Sequence, residues 1–395
     1  MIPEKYISWG NAGSTIRELA AYGAQRAKIV GKENVYDFTI GSPSIAPPKA
    51  LLDAVSRLCS SADPTQLHAY APAAGIESVR AKIAQSLNDS FGADYDAGDI
   101  YMTHGSSSAL AILCAALLSE GDEALVIAPY FPEYRTYIEQ AGGVMTEVLC
   151  DLESFQMDMD AFASKITEKT AAVIINSPNN PSGVVLSGDS VKAIAEVLEK
   201  KSAEYGHPIY IIADEPYREL VYGGIEVPFI PCFYADTLYC YSFSKSVSLP
   251  GERIGYIAMP KAMTDYANVK AAIYGAGRAL GYICVSPLFQ LAVAETLGEI
   301  SDISVYDENR TLLYEALREM GFHCVKPDGA FYLFIKTPGG DSRAFCRKAM
   351  EKDLLFVPGD DFGCPGFARL AYCVPVERIK NSLPAFKWLA EEYGL

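Results

Sequence analysis

Four short apolar runs, free of charge, limit the folds open to this chain. They are Ala124-Leu125-Val126-Ile127-Ala128, Ala171-Ala172-Val173-Ile174-Ile175, Ile209-Tyr210-Ile211-Ile212-Ala213 and Leu238-Tyr239-Cys240-Tyr241. Each is shorter than an ordinary buried helix, and each is too continuously apolar for a strand with one wet face. Each therefore predicts a parallel strand covered on both sides. Stretches of helical period separate them, Ser190 to Ser202 being one. Alternation of this kind predicts an α/β fold with a mostly parallel sheet. In such sheets ligands bind beyond the carboxyl ends of the strands. The polar segments that follow the runs are therefore where chemistry is expected.

A chain of 395 residues exceeds one ordinary hydrophobic core, so two domains are expected. Near the start, Ser14 to Val30 predicts a helix capped by Ser14, with Ile16, Leu19, Ala20 and Ala24 near one face. Val35 to Ile40 predicts a short strand closed by Gly41-Ser42-Pro43. From about Ser286 the pattern changes. A helix around Asn309 to Met320 precedes two strands within Phe322 to Lys336, which turn at Pro327-Asp328-Gly329. Another helix follows, and then the turn Phe356-Val357-Pro358-Gly359. This reads as a smaller α+β domain. The expected division is 1–46 for an N-terminal arm and part of the small domain, 47–285 for the large domain and 286–395 for the small C-terminal domain.

The formal net charge of −16 disfavours nucleic acid as a partner, because an acidic surface repels phosphate backbones. No run of about 18 apolar residues is present, so no membrane span is expected. The polar start Met1-Ile2-Pro3-Glu4-Lys5 lacks an apolar core of signal length, and the cytoplasm is the expected location. The ten cysteines sit singly within apolar runs and form no C-x-x-C pair, as expected of buried small side chains in a reducing compartment. Four histidines (His68, His104, His207, His323) show no metal-ligand spacing.

Four polar motifs stand where the sheet rule asks for them. Thr103-His104-Gly105-Ser106-Ser107-Ser108 lies between a strand at Ile100 to Met102 and a helix at Ala109 to Leu118. Free N–H groups at a helix start make an anion site, although a serine N-cap has the same composition. Ser177-Pro178-Asn179-Asn180-Pro181-Ser182-Gly183 follows the second run. It is either a plain turn or a way to set an Asn amide over the sheet edge. Asp214-Glu215-Pro216-Tyr217 follows the third run. A carboxylate there needs a partner, such as a protonated ring nitrogen; the alternative is a surface turn with a helix cap. The fourth motif, Ser242-Phe243-Ser244-Lys245, carries Arg253 eight residues on. A lysine that is partly desolvated near another cation becomes a nucleophilic amine, and an arginine can grip a phosphate with two donors. Alone, this pair also fits a solvated loop.

Taken in order, Gly-Ser-Ser, Asn-Asn-Pro-Ser-Gly, Asp-Glu-Pro-Tyr and Ser-Phe-Ser-Lys with its arginine resemble the class I/II aminotransferases, of fold type I of the pyridoxal 5'-phosphate enzymes. The resemblance covers nearly the whole chain. Gly41-Ser42-Pro43, Tyr70 with Gly75, Pro129-Tyr130-Phe131, and Val357-Pro358-Gly359 with Phe362-Gly363 and Arg369 extend it. It implies that Lys245 forms a Schiff base with the cofactor and then moves protons. It implies that Asp214 pairs with the pyridine nitrogen, that Asn180 and Tyr217 contact the 3′-oxygen, and that Phe131, rather than Tyr130, stacks on the ring. Ser106, Ser107, Ser242, Ser244 and Arg253 would bind the phosphate. Arg369, with the Gly41 backbone, would hold the substrate α-carboxylate. Tyr70 would reach the phosphate of a neighbouring subunit, which implies a homodimer.

The reaction so implied is transamination between an L-amino acid and a 2-oxo acid. A β-eliminating lyase acting on cysteine conjugates would use the same core residues. Arg278, 25 residues after Arg253, is either a reader of an acidic substrate side chain or a structural arginine. A regulator built on such a domain would need a DNA-binding extension, and no basic segment is present to supply one. Intact Lys245 and Asp214 speak against a non-catalytic cofactor binder.

Overall fold

The computed structural model describes residues 2–395. After the helices Glu4–Asn11 and Thr15–Val30 comes a two-residue strand, β1 (Tyr36–Asp37). Seven strands then build one sheet: β2 (Ile100–Thr103), β3 (Glu123–Ala128), β4 (Val144–Leu149), β5 (Thr170–Asn176), β6 (Tyr210–Asp214), β7 (Thr237–Ser242) and β8 (Gly255–Ala258). Their order is β2-β8-β7-β6-β5-β3-β4, and only β8 runs against the rest.

The four apolar runs form β3, β5, β6 and β7. Their side chains alternate between two cores, as a period of two requires. Val173, Ile175, Ile211 and Ala213 pack with Leu51, Ile83, Val191 and Val293 on one face. Ala172, Ile174, Ile212 and Leu238 pack on the other with Leu110, Leu113, Tyr134 and Ile273. Burial on both faces explains the missing polar alternation, and each buried Val, Leu or Ile contributes about 1.5–3 kcal/mol.

A four-stranded antiparallel sheet, ordered β12-β13-β10-β9, follows from β9 (His323–Cys324), β10 (Tyr332–Lys336), β12 (Val357–Pro358) and β13 (Phe367–Ala371). β11 (Leu354–Leu355) instead pairs in parallel with β1. A separate core around Phe38, Leu333, Phe345, Leu354 and Phe386 joins these strands to the helices Ser304–Glu319, Ser342–Ala349 and Val376–Glu392.

Three local expectations change. The strand expected over Val35 to Ile40 shrinks to Tyr36–Asp37, because its partner β11 offers only two residues. In the Thr15–Val30 helix, Gly23 is buried and Ala24 is exposed. A Cβ on Gly23 would come within 2.8 Å of Leu355 Cδ1, so this close approach selects glycine. Ser14 stands at the N-cap without a side-chain capping bond.

Candidate active site

The carboxyl ends of β5, β6 and β7 lie side by side, Asn176 opposite Asp214 and Asp214 opposite Cys240. A cavity of about 250 Å³ opens beyond them. It gathers residues spread from Gly41 to Arg369, so the fold, not local sequence, assembles it.

Lys245 enters from the short helix Phe243–Ser246. Ser242 caps that helix by accepting from Ser244 N. The amine donates to Gly41 O at 2.8 Å and lies 5.3 Å from the centre of the Phe331 ring. Burial pushes its pKa down to about 8, with Arg369 and Arg253 adding to the effect and Cys373 opposing it.

Asp214 ends β6 and lines the cavity. Its Oδ2 accepts from the Tyr134 hydroxyl at 2.6 Å, while its buried Oδ1 has no hydrogen-bond partner among the described residues. Burial raises its pKa to about 7 against the lowering effect of Tyr134. A buried carboxylate oxygen without a donor is costly, and a cationic N–H facing it would remove that cost. Asn176 ties the neighbouring strands together. It donates to Asp214 O at 2.7 Å and accepts from Asn180 N at 2.8 Å.

At one end of the cavity the helix Ser106–Leu117 starts after Gly105, whose φ is +80°. Its first N–H groups have no partner within the helix, and Ser106 and Ser107 line the wall. Arg253 crosses this end, donating to Pro250 O, His104 O and Ser244 Oγ. A Cβ on Gly105 would lie 2.7 Å from Arg253 Nη2, so glycine is needed for the guanidinium to come this close. Helix start and arginine together present donors and positive charge to an anion.

At the other end Arg369 on β13 is 2 % exposed. It donates to Asn180 Oδ1 at 3.0 Å and to Thr39 O, and lies between the rings of Tyr332 and Phe362. Its Nε has no partner among the described residues. Burial lowers its pKa. A cation held in the interior with a free donor is suited to a carboxylate. Tyr217 lines the wall between these ends, its hydroxyl 2.9 Å from that of Tyr332.

Of the residues singled out in the sequence, Gly41, Ser106, Ser107, Phe131, Asn180, Asp214, Tyr217, Ser244, Lys245, Arg253 and Arg369 line this cavity. Ser242 does not; it is buried and its hydroxyl donates to Ser244 Oγ. Tyr70 is 95 % exposed and also lies off the wall. Tyr130 points elsewhere, donating to Glu147. Arg278 is exposed on the last turn of the helix Tyr266–Leu280 and lines no part of its own chain's cavity. Sequence reasoning missed Ile16, Asn176, Tyr332 and Tyr134. Asn176 was readable as the first polar residue after an apolar run. Tyr134 and Tyr332 carry no such signal, because their positions depend on tertiary packing.

The sheet order, the cleft at its carboxyl edge and the separate antiparallel sheet define an α/β protein of fold type I of the pyridoxal-phosphate enzymes. The family described as "Aminotransferase class I and II" matches residues 33–386. The crystal structure of an aminotransferase from Eubacterium rectale superposes with a TM-score of 0.98 at 51% identity, covering 100% of both chains. The Thermus thermophilus aspartate aminotransferase with maleate superposes with a TM-score of 0.85 at 26% identity, covering 98% of this chain and 99% of that one. A probable aspartate/prephenate aminotransferase of Aquifex aeolicus is 33% identical over 388 residues, 93% of each chain. This chain belongs to the class I and II aminotransferases and is an enzyme of that type. No observation favours the β-eliminating lyase. Among the described residues no helix is long and apolar enough to cross a membrane, and no cluster of side chains is suited to hold a metal.

Proposed function

We propose that the cavity holds pyridoxal 5'-phosphate and that the enzyme uses it to move an amino group from an L-amino acid to a 2-oxo acid. One observation carries this reading: the unpartnered Oδ1 of Asp214 shares a wall with the depressed-pKa amine of Lys245. The donor set fits the cofactor in three places. Asp214 offers an acceptor to a pyridinium N–H. The Ser106–Ser107 helix start, Ser244 and Arg253 offer donors and charge to a phosphate. Lys245 offers a neutral amine to an aldehyde.

When bound, the cofactor supplies an aldehyde that condenses with amines and a ring that accepts electrons from the substrate Cα. The rest falls to the chain. Lys245 would hold the cofactor through its amine and, once freed by the substrate amine, would carry the proton at the substrate Cα. Asp214, held by Tyr134 and Asn176, would keep the ring nitrogen protonated. Asn180 and Tyr217 would donate to the ring oxygen, and Phe131 would pack against the ring. Arg369 and the Gly41 backbone hold the α-carboxylate, which fixes the Cα–H bond near the lysine. Ser242 acts through the capped lysine turn, positioning Ser244 and Lys245.

In this reading the large cofactor-binding domain is 47–285, the small domain 286–395, and 1–46 the arm that joins it. The separate cores on either side of the cavity support two domains but move the boundary: the helix Pro287–Glu295 packs through Ala292 and Val293 in the core of the large sheet, so the small domain starts after it, at the helix Ser304–Glu319. A homodimer accounts for Tyr70, whose exposed ring would complete the neighbour's phosphate site. The ten free cysteines suit the cytoplasm. Lys245→Ala is expected to abolish turnover in a screen of amino-acid donors and oxo-acid acceptors, and to lose the visible absorbance of the bound cofactor. A folded variant with normal turnover contradicts the assignment.

A further inference from the structure

A second cavity, of about 370 Å³, lies behind the lysine turn. The two cavities share thin walls. Ser244 and Lys245 face the first, and Phe243 and Ser246 face the second. In the same way Asp214 and Tyr217 line the first, and Arg218 and Glu219 line the second. None of the second set takes part in the transamination described above.

The charges of this second cavity do not balance. Arg218 is already satisfied. It pairs with the fully buried Glu215 at 2.5 Å, donates to Val227 O and Pro228 O, and lies 4.4 Å over the Phe91 ring. Glu219 is the surplus carboxylate. Its Oε2 is buried and has no hydrogen-bond partner among the described residues. Burial pushes its carboxyl up, against the lowering effects of the Tyr241 hydroxyl and of Arg218 nearby, so a cation at the free Oε2 would favour its charged form. The exposed Glu299 adds a second negative charge at the rim.

Around that carboxylate the walls are aromatic. The ring of Tyr241 is 5.1 Å from Tyr256 and 5.1 Å from Phe243, and all three line the cavity. Ring faces attract organic cations. A bare metal ion would need several oxygen ligands, and one free carboxylate among rings does not supply them. We propose that this cavity binds a small organic cation, an alkylammonium or quaternary ammonium group, with its charge at Glu219 and its apolar part against Tyr241, Phe243 and Tyr256. Such a ligand would sit directly behind the segment that carries Lys245.

The probe is tetramethylammonium, whose nitrogen cannot condense with an aldehyde and so cannot react in the first cavity. Calorimetric titration of the cofactor-loaded enzyme at low salt is expected to show saturable binding with a Kd of about 1 mM or tighter. Uncharged tert-butanol, of similar shape, is expected not to bind. Glu219→Gln is expected to weaken tetramethylammonium binding about tenfold or more. Phe243→Leu is expected to weaken it about threefold to tenfold, and serves if the first variant does not fold. Absence of saturable binding, equal binding of tert-butanol, or unchanged affinity in a folded variant overturns the proposal.

Discussion

Lys245 and Asp214 face one cavity, and burial draws both towards their uncharged forms. Burial disfavours charge on both, lowering the lysine to about 8 and raising the aspartate to about 7. A cofactor with a cationic ring nitrogen and an electrophilic aldehyde suits both groups, since it gives the carboxylate a partner and uses the amine uncharged. The lysine's shift sets a pH dependence. An ordinary lysine loses its proton near pH 10.4. With the folded value lowered, the neutral amine builds up as pH rises towards about 8. Uptake of pyridoxal 5'-phosphate by the cofactor-free protein, followed by stopped-flow absorbance, is therefore expected to quicken about tenfold per pH unit below 8 and to level off above it. A rate that is flat from pH 6 to 9 (roughly the span of that titration) contradicts the depressed value.

Positioning comes from elements that no single motif announces. The helix Glu133–Gln140 brings Tyr134 to Asp214, and β13 brings Arg369 to Asn180 across 189 positions of chain. The Tyr134 bond lowers the Asp214 pKa, so Tyr134→Phe is expected to raise it further and weaken the hold on the ring nitrogen. The loss of one bond to a charged group is about 1.5–3 kcal/mol. Steady-state kinetics should show kcat falling about tenfold or more with little change in KM. An unchanged kcat would make Tyr134 a packing residue only. These elements also mark how far the sequence could be read. The central strands were legible because burial on both faces leaves continuous apolar runs. The motifs after them were legible because the carboxyl edge concentrates polar residues. The edge strand β4 was not legible, because its half-exposed Met145, Thr146 and Glu147 break the apolar run. Nor were Tyr134 and Tyr332, whose neighbours in space are 80 and 115 residues away.

Across the whole molecule, one cavity lies between the large parallel sheet and the smaller antiparallel one and takes lining residues from both. Arg369 belongs to the small sheet, while Lys245 and Asp214 belong to the large one. The same layout leaves Tyr70 in solvent, 95 % exposed and off its own cavity. On the proposed reading a partner subunit covers this ring. Sedimentation equilibrium of the cofactor-loaded enzyme is expected to give twice the chain mass of 42.8 kDa; a monomer at micromolar concentration would remove Tyr70 from any phosphate site. The most direct test is chemical. Borohydride reduction of the loaded enzyme, followed by peptide mapping, is expected to leave a stable pyridoxyl group on Lys245 and on no other lysine. A reduced adduct on a different lysine, or none on a protein that has taken up the cofactor, would contradict the central claim.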